Sequence, residues 1–272
     1  MNSKMCEVAL VTGVSSGIGR ATAALLAESG YRVYGSVRTI TPQSEISGVT
    51  LVELDVKDDN SVTSAVQSIL QKEQRIDALV NNAGLALAGS IEETTIEDAS
   101  NLFDTNVLGV VRVTQAVLPN MRERRTGRIV NIGSVAGLVP APFMGLYSAS
   151  KHAVEGYTES LDHEIRSFGI RAVVIEPGFT RTRLASNALV AKNKISDYDD
   201  VRRRVDRAIE VQFNNGVEPG EVAQAVLIAL QVKAPKHRYP VGREGMMISF
   251  LRRFMPTKVF DWGLRRQFML DG

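Results

Sequence analysis

The chain has few of the residues that build covalent or metal-based sites. Of its 272 residues, one is a cysteine and three are histidines. Cys6 alone cannot close an internal disulfide, so nothing asks for an oxidising compartment; it reads as a small apolar residue at a strand edge. His152, His163 and His237 are too scattered for a metal-ligand cluster, and no metal is expected. No apolar run approaches the ~18 residues of a membrane span. Met1-Asn2-Ser3-Lys4 lacks the apolar core and cleavage site of a secretory signal, so a cytoplasmic chain is expected. The excess of charge is small: 32 Lys and Arg against 30 Asp and Glu, a net +2. So small a balance does not point to nucleic acid as the main partner, though it leaves room for a local basic patch. With 44% apolar and 23% charged residues the chain is not disordered either.

What is present is an alternation of short apolar runs and helical periodicities. Residues 7–12, 31–37, 49–54, 76–80, 128–132 and 171–175 read as buried strands. Residues 17–29 read as a helix ending at Gly30, and Val62, Ala65, Val66, Ile69 and Leu70 share one face of a helix over 58–73. Thr94 with Glu97 forms a capping box for a helix running to about Arg122, and another helix covers 147–168. Beyond Pro177, residues 178–196 have no period, 197–212 and 221–230 read as helices, and 238–241 as a last strand. Strand and helix alternating at this pace imply a single α/β domain over residues 1–272. Its expected form is a doubly wound, Rossmann-like parallel sheet with helices on both faces. Residues 178–215 then form a substrate loop or lid, and 246–272 a C-terminal extension.

Thr12-Gly13-Val14-Ser15-Ser16-Gly17-Ile18-Gly19 joins the first strand to the first helix. Glycines there let backbone N–H groups and a helix N-terminus face a pyrophosphate. The spacing is G-x-x-x-G-x-G, and the strand–turn–helix context gives it weight. Further along stand Asp55-Val56, Asn81-Asn82-Ala83-Gly84, Asn106, Ser134, Tyr147-x-x-x-Lys151, and Pro177-Gly178 with Thr180. In this order, over roughly residues 7–182, the chain resembles the short-chain dehydrogenase/reductase family. Within that family it is similar to the branch that handles steroids, retinoids and long-chain aldehydes.

The resemblance implies that Asp55 and Val56 lie by the adenine, that Asn82, Ala83 and Gly84 border the cofactor, and that Pro177, Gly178 and Thr180 lie at its nicotinamide end. It makes Asn106, Ser134, Tyr147 and Lys151 the catalytic set. Lys151 would also bond the nicotinamide ribose, and Asn106 would hold a water that relays protons from the lysine. The residues themselves suit such chemistry. Tyr147 and Lys151 share a helix face, and an adjacent ammonium should lower a phenol pKa from its ordinary value near 10. Tyr147 could then exchange a proton with a carbonyl or alcohol oxygen, with the Ser134 hydroxyl holding that oxygen. Asn106 sits mid-helix, where asparagine is disfavoured; the bland alternative is a polar residue facing solvent. His152 lies about 100° round the helix from Lys151 and reads as structural. Gly133-Ser134-Val135 lacks the G-x-S-x-G elbow of a hydrolase.

No acid stands at the end of the second strand; Arg38 and Thr39 do, and a guanidinium forks well onto a 2′-phosphate. With Ser16 nearby, the expected cofactor is NADP(H). Val135, Leu138, Phe143 and Met144, together with Phe179 and Leu184, suggest an apolar substrate wall. The tail interleaves apolar and basic residues. Packing over the substrate loop or at a subunit interface is favoured over membrane contact. The leading reading is an NADP-dependent oxidoreductase interconverting an apolar ketone or aldehyde with its alcohol, as a homodimer or homotetramer. The rival is a non-catalytic NADPH-binding sensor on the same fold. An epimerase or dehydratase is a third, less favoured reading.

Overall fold

Val8–Val11 (β1) shows why the chain forms layers. All four residues are buried, and they alternate: Ala9 and Val11 enter one core, Val8 and Leu10 the other. A strand that is apolar on both faces must be covered on both. The computed structural model describes residues 6–182, 184, 188–191 and 193–270. The N-terminal Met1-Asn2-Ser3-Lys4, residues 183, 185–187 and 192 of the expected lid, and 271–272 of the extension lie outside them.

From β1 the chain runs through α1 (Gly17–Glu28), β2 (Arg32–Val37), β3 (Val49–Glu53), α2 (Asp59–Glu73), β4 (Ala78–Asn81) and β5 (Leu87–Ala88). It continues through α3 (Ile96–Phe103), α4 (Gly109–Arg124), β6 (Gly127–Ile132), α5 (Gly145–Ile165), β7 (Ile170–Pro177) and β8 (Leu189–Val190). Then come α6 (Asp199–Asn214), α7 (Pro219–Gln231), β9 (Arg238–Val241), α8 (Arg243–Phe254) and α9 (Thr257–Gln267).

Seven described strands form one parallel sheet in the order β3-β2-β1-β4-β6-β7-β9. The order reverses between β1 and β4, and in such sheets a crevice opens beyond the strand C-termini at that point. Val11 lies opposite both Gly35 and Val80, so the turns after β1, β2 and β4 emerge together. Helices α1 and α7 cover one face through Ala23, Leu26, Val222, Val226 and Leu230. Helices α2, α4 and α5 cover the other through Val66, Ile69, Val117, Met121, Leu161 and Ile165. Each fully buried Leu or Ile contributes about 1.5–3 kcal/mol. Among the described residues no helix is long and apolar enough to cross a membrane.

The structure departs from the sequence reading in three places. The helix expected from the Thr94 box is capped one residue later: Thr95 Oγ1 accepts from Asp98 N at 3.0 Å, while Thr94 Oγ1 donates to Ser90 O. Nor does that helix run unbroken to Arg122. A π-turn over Asp104–Leu108 separates α3 from α4, which ends at Arg124. Finally, the aperiodic stretch 178–196 contains β8, whose two residues pair with β5 in a separate small sheet. Two residues are too few to show a period, and only the partner strand makes them a strand.

Candidate active site

The turn after β1 is built for close backbone approach. Gly13 has φ +71°, and a Cβ there would lie 2.9 Å from Ala83 Cα. Thr12 Oγ1 accepts from Asn82 N at 2.9 Å and Ala83 N at 3.0 Å, while Asn82 Nδ2 donates to Thr12 O and Gly13 O. Thr12 and Asn82 thus lock the turns after β1 and β4 to each other. At the N-terminus of α1, the cap residue Ser16 makes no side-chain bond to its own helix. Its hydroxyl and the first N–H groups of α1 stay available to an anion.

These turns form one end of a cavity of about 1050 Å³. Gly13, Ser15, Ser16, Gly17, Ile18, Arg38, Asp55, Val56, Asn82, Ala83, Gly84, Pro177, Gly178 and Thr180 all line it. The volume and the exposed glycine turn fit a dinucleotide, with room left for a substrate. Of the residues expected to line the cavity, Gly19, Thr39 and Leu138 lie off its wall, as does Asn106. Gly19 is packed inward, where a Cβ would stand 2.3 Å from Asn82 Nδ2 and Gly13 O, so it serves helix–strand approach. Thr39 is exposed beyond β2, and Leu138 faces away, its neighbour Val139 lining the cavity instead.

Ser134, Tyr147 and Lys151 meet at the middle of the cavity wall. Ser134 leaves β6 as the cap of a short 3₁₀ turn, its Oγ accepting from Ala136 N at 3.1 Å. Its hydroxyl is also close enough to the Tyr147 phenol to lower that phenol's pKa. Tyr147 and Lys151 are 6% and 7% exposed on α5. Lys151 Nζ donates to Ile132 O at 2.8 Å, leaving two of its three donors for other partners.

The electrostatics correct one expectation. Burial pushes the Tyr147 phenol up to about 12, against Ser134, which lowers it. The Lys151 ammonium, expected to lower it, is not among the groups that set it. Burial also pulls Lys151 down to about 8, opposed by the charge of Glu155. Burial desolvates both groups, and in each it is the charged form, phenolate or ammonium, that is disfavoured. The phenol is therefore held protonated, a hydrogen-bond and proton donor.

Asn106 lies in the π-turn and is 2% exposed, which excludes the solvent-facing alternative. It sits behind the wall. Its Oδ1 accepts from Leu85 N at 2.8 Å, and its Nδ2 donates to Leu85 O at 2.9 Å and to Ser150 Oγ at 3.1 Å. The amide pins the Leu85 backbone, the start of the β5 segment, to α5.

The other end of the cavity is apolar. Val135, Val139, Met144, Phe179, Leu184, Leu189, Phe213, Leu264 and Phe268 line it. Phe143 lines it too, with φ +58°, a sparsely allowed conformation for a bulky residue. Its ring stands edge-on to Tyr198 at 6.2 Å and under the Arg202 guanidinium at 5.9 Å. Arg202 of α6 also pairs with Glu93, and Glu93 accepts from Ile195 N at 2.7 Å and Ser90 N at 3.1 Å. This ion pair ties α6 to the β5–α3 loop. Helix α9 backs α6: Phe268 and Leu264 pack with Val201, Val205, Ala208 and Ile209. Sequence reasoning missed Glu93 and Arg202. They are far apart in the chain and carry no motif; an acid and an arginine meeting in an apolar wall is visible only in three dimensions. His152 is exposed, its Nδ1 2.8 Å from Ser148 O, away from the cavity. Cys6 is exposed just before β1, its thiol donating to Gly30 O at 2.8 Å.

A family model for short chain dehydrogenases matches residues 7–193. The 3-ketodihydrosphingosine reductase of Bacteroides thetaiotaomicron is 36% identical over 262 residues, covering 95% of this chain and 97% of its own. The 17-beta-hydroxysteroid dehydrogenase type 1 of Homo sapiens is 34% identical over 85% of this chain and 76% of its own. A crystal structure of a short-chain dehydrogenase from Streptomyces avermitilis superimposes with a TM-score of 0.84 at 30% identity, covering 96% of this chain and 97% of that one.

Proposed function

The chain belongs to the short-chain dehydrogenase family, and on that premise we propose that it is an NADP(H)-dependent reductase of a ketone or aldehyde carried on a long apolar substrate. The reading rests chiefly on one observation. Ser134, Tyr147 and Lys151 line the same cavity as the glycine turn and the apolar residues Val139, Phe179 and Phe268.

NADP(H) supplies the hydride when bound. The residues of this chain do the rest. Ser134 orients the substrate oxygen toward the phenol, and Tyr147 donates the proton that the reduced oxygen takes up. Lys151, an ammonium beside a phenol, stabilises the phenolate left after that transfer. Asn106 acts through Leu85, holding the loop that borders the site. Arg38 lines the cavity at the end of β2, where no carboxylate competes for a ribose hydroxyl; its guanidinium and the unbonded Ser16 hydroxyl suit a 2′-phosphate.

The apolar end favours an aliphatic chain or fused-ring substrate over a small polar one. Residues 178–215 supply Phe179, Leu184, Leu189, Arg202 and Phe213 to this end and act as its lid, braced by the C-terminal extension. A relative that reduces 3-ketodihydrosphingosine supports a ketone on a long chain as the first substrate to test. The experiment is NADPH oxidation with 3-ketodihydrosphingosine, a 17-ketosteroid and long-chain aldehydes, with NADH and Tyr147→Phe as controls. Tyr147-dependent turnover with NADPH is expected on at least one. Turnover that survives Tyr147→Phe, or that proceeds equally well with NADH, overturns the corresponding part of the reading.

A further inference from the structure

Behind the site, on the side away from the cavity, two carboxyl groups are buried together. Glu155 is one helical turn beyond Lys151 on α5 and 5% exposed; Glu176 is on β7 and 1% exposed. The Glu155 carboxyl lies beneath Gly133, the residue before Ser134: a Cβ built on Gly133 would stand 2.8 Å from Glu155 Oε1. Glu155 Oε1 has no hydrogen-bond partner, Glu176 Oε1 has only the ion-pair contact with Arg238, and the Glu155 carboxyl bears on the proton affinity of Glu176. One shared proton resolves that arrangement.

The groups facing this pair come from the two neighbouring turns of α5 and from β9. Lys151 and His152 face Glu155 from the preceding turn of α5, and Glu159 stands one turn on. From β9, Arg238 Nε lies 3.0 Å from Glu155 Oε2 and 3.3 Å from Glu176 Oε1, and its Nη2 3.3 Å from Glu159 Oε2. A cleft of about 10 Å³, lined by Glu155, Glu159, His237 and Arg238, reaches Glu155 from outside. That is room for about one water, enough for proton exchange with solvent.

We propose that Glu155 is the positioning counter-ion that keeps Lys151 an ammonium, and that Glu176 and Arg238 set how much charge Glu155 carries. Lys151 is buried, its near polar contact is a neutral carbonyl, and Glu155 is the acid whose charge opposes its desolvation. Arg238 in turn offsets the burial of Glu155. Burial pushes Glu176 up to about 7, with the charge of Glu155 adding to the rise, so near neutral pH the pair carries a proton that it loses as pH rises. The charge felt by Lys151 therefore grows over the range in which the ammonium would otherwise begin to lose its proton.

The inference rests on Lys151 belonging to the proposed site, but its test needs neither substrate nor cofactor. Lysine ¹³Cε resonances of the full-length protein are titrated by NMR, with Lys151→Met to assign the signal. A midpoint near pH 8 is expected in the natural sequence. Glu155→Gln should move it down by about one unit. Glu176→Gln should move it down by less, and Glu155→Asp should recover part of the loss. The alkaline limb of kcat/KM should shift in the same order. An unmoved Lys151 midpoint in every variant that folds overturns the proposal. Failure of the Tyr147→Phe control instead overturns the reading of the site and leaves the titration standing.

Discussion

Lys151 Nζ lies 5.8 Å from the centre of the Tyr147 ring while donating to the carbonyl of Ile132 at the end of β6. The lysine is thus anchored to the sheet, and the tyrosine lines the cavity beside Ser134, in the turn that follows the same strand. The two groups that α5 places on one face meet at a single strand end.

Replacing Tyr147 with Phe removes the proton donor and leaves the glycine turn untouched. We expect kcat/KM for the best carbonyl substrate to fall by about 10²–10⁴. NADPH affinity, read by calorimetry, should change little.

Arg38→Ser should weaken NADPH binding more than NADH binding. A charge-assisted hydrogen bond is worth about 1.5–3 kcal/mol, so a loss of roughly ten- to a hundredfold in NADPH affinity is expected. The check is Kd for both cofactors by calorimetry. Equal losses for the two would remove Arg38 from the 2′-phosphate.

Arg202→Met should loosen the apolar end of the cavity. Glu93 would keep its two backbone donors and lose its cation while remaining buried. Breaking a buried pair costs about 3–5 kcal/mol, and the β5–β8 pairing is the nearest structure able to give way. Hydrogen exchange at Leu189 and Ala191, whose amides donate to Ala86 and Ala88, should accelerate. Exchange in β1 and β6 should not.

Stability should depend on pH through Glu176. Its folded pKa is raised to about 7, chiefly by burial, from an ordinary value of 4.5. Between those values the folded chain binds the proton that the unfolded chain releases. The stabilisation is therefore fully present below about 4.5 and is lost as pH rises through about 7. Urea unfolding of Glu176→Gln should show a smaller fall in stability between pH 5 and pH 8 than the natural sequence shows.

The sequence by itself determined the layering, the order of strands and helices, and most of the wall of the site. The layering and the order of elements follow from local spacing, and much of the wall follows from the resemblance to the family. Apolar residues at Val8–Val11 make a strand that needs cover on both faces, glycines at 13 and 17 make a turn open to phosphate, and Tyr147 and Lys151 share a face because they are four residues apart. Tertiary structure decided what depends on burial and on residues far apart in the chain. The phenol of Tyr147 rises because packing removes water from it, which its distance from Lys151 along the helix cannot reveal. Asn106 is buried because a π-turn carries it into Leu85 and Ser150. Glu93 meets Arg202, and Glu155 meets Glu176, only once the sheet has brought their elements together. Proton affinity and ion pairing are set by dielectric surroundings and distance in space, and neither is written in the order of the residues.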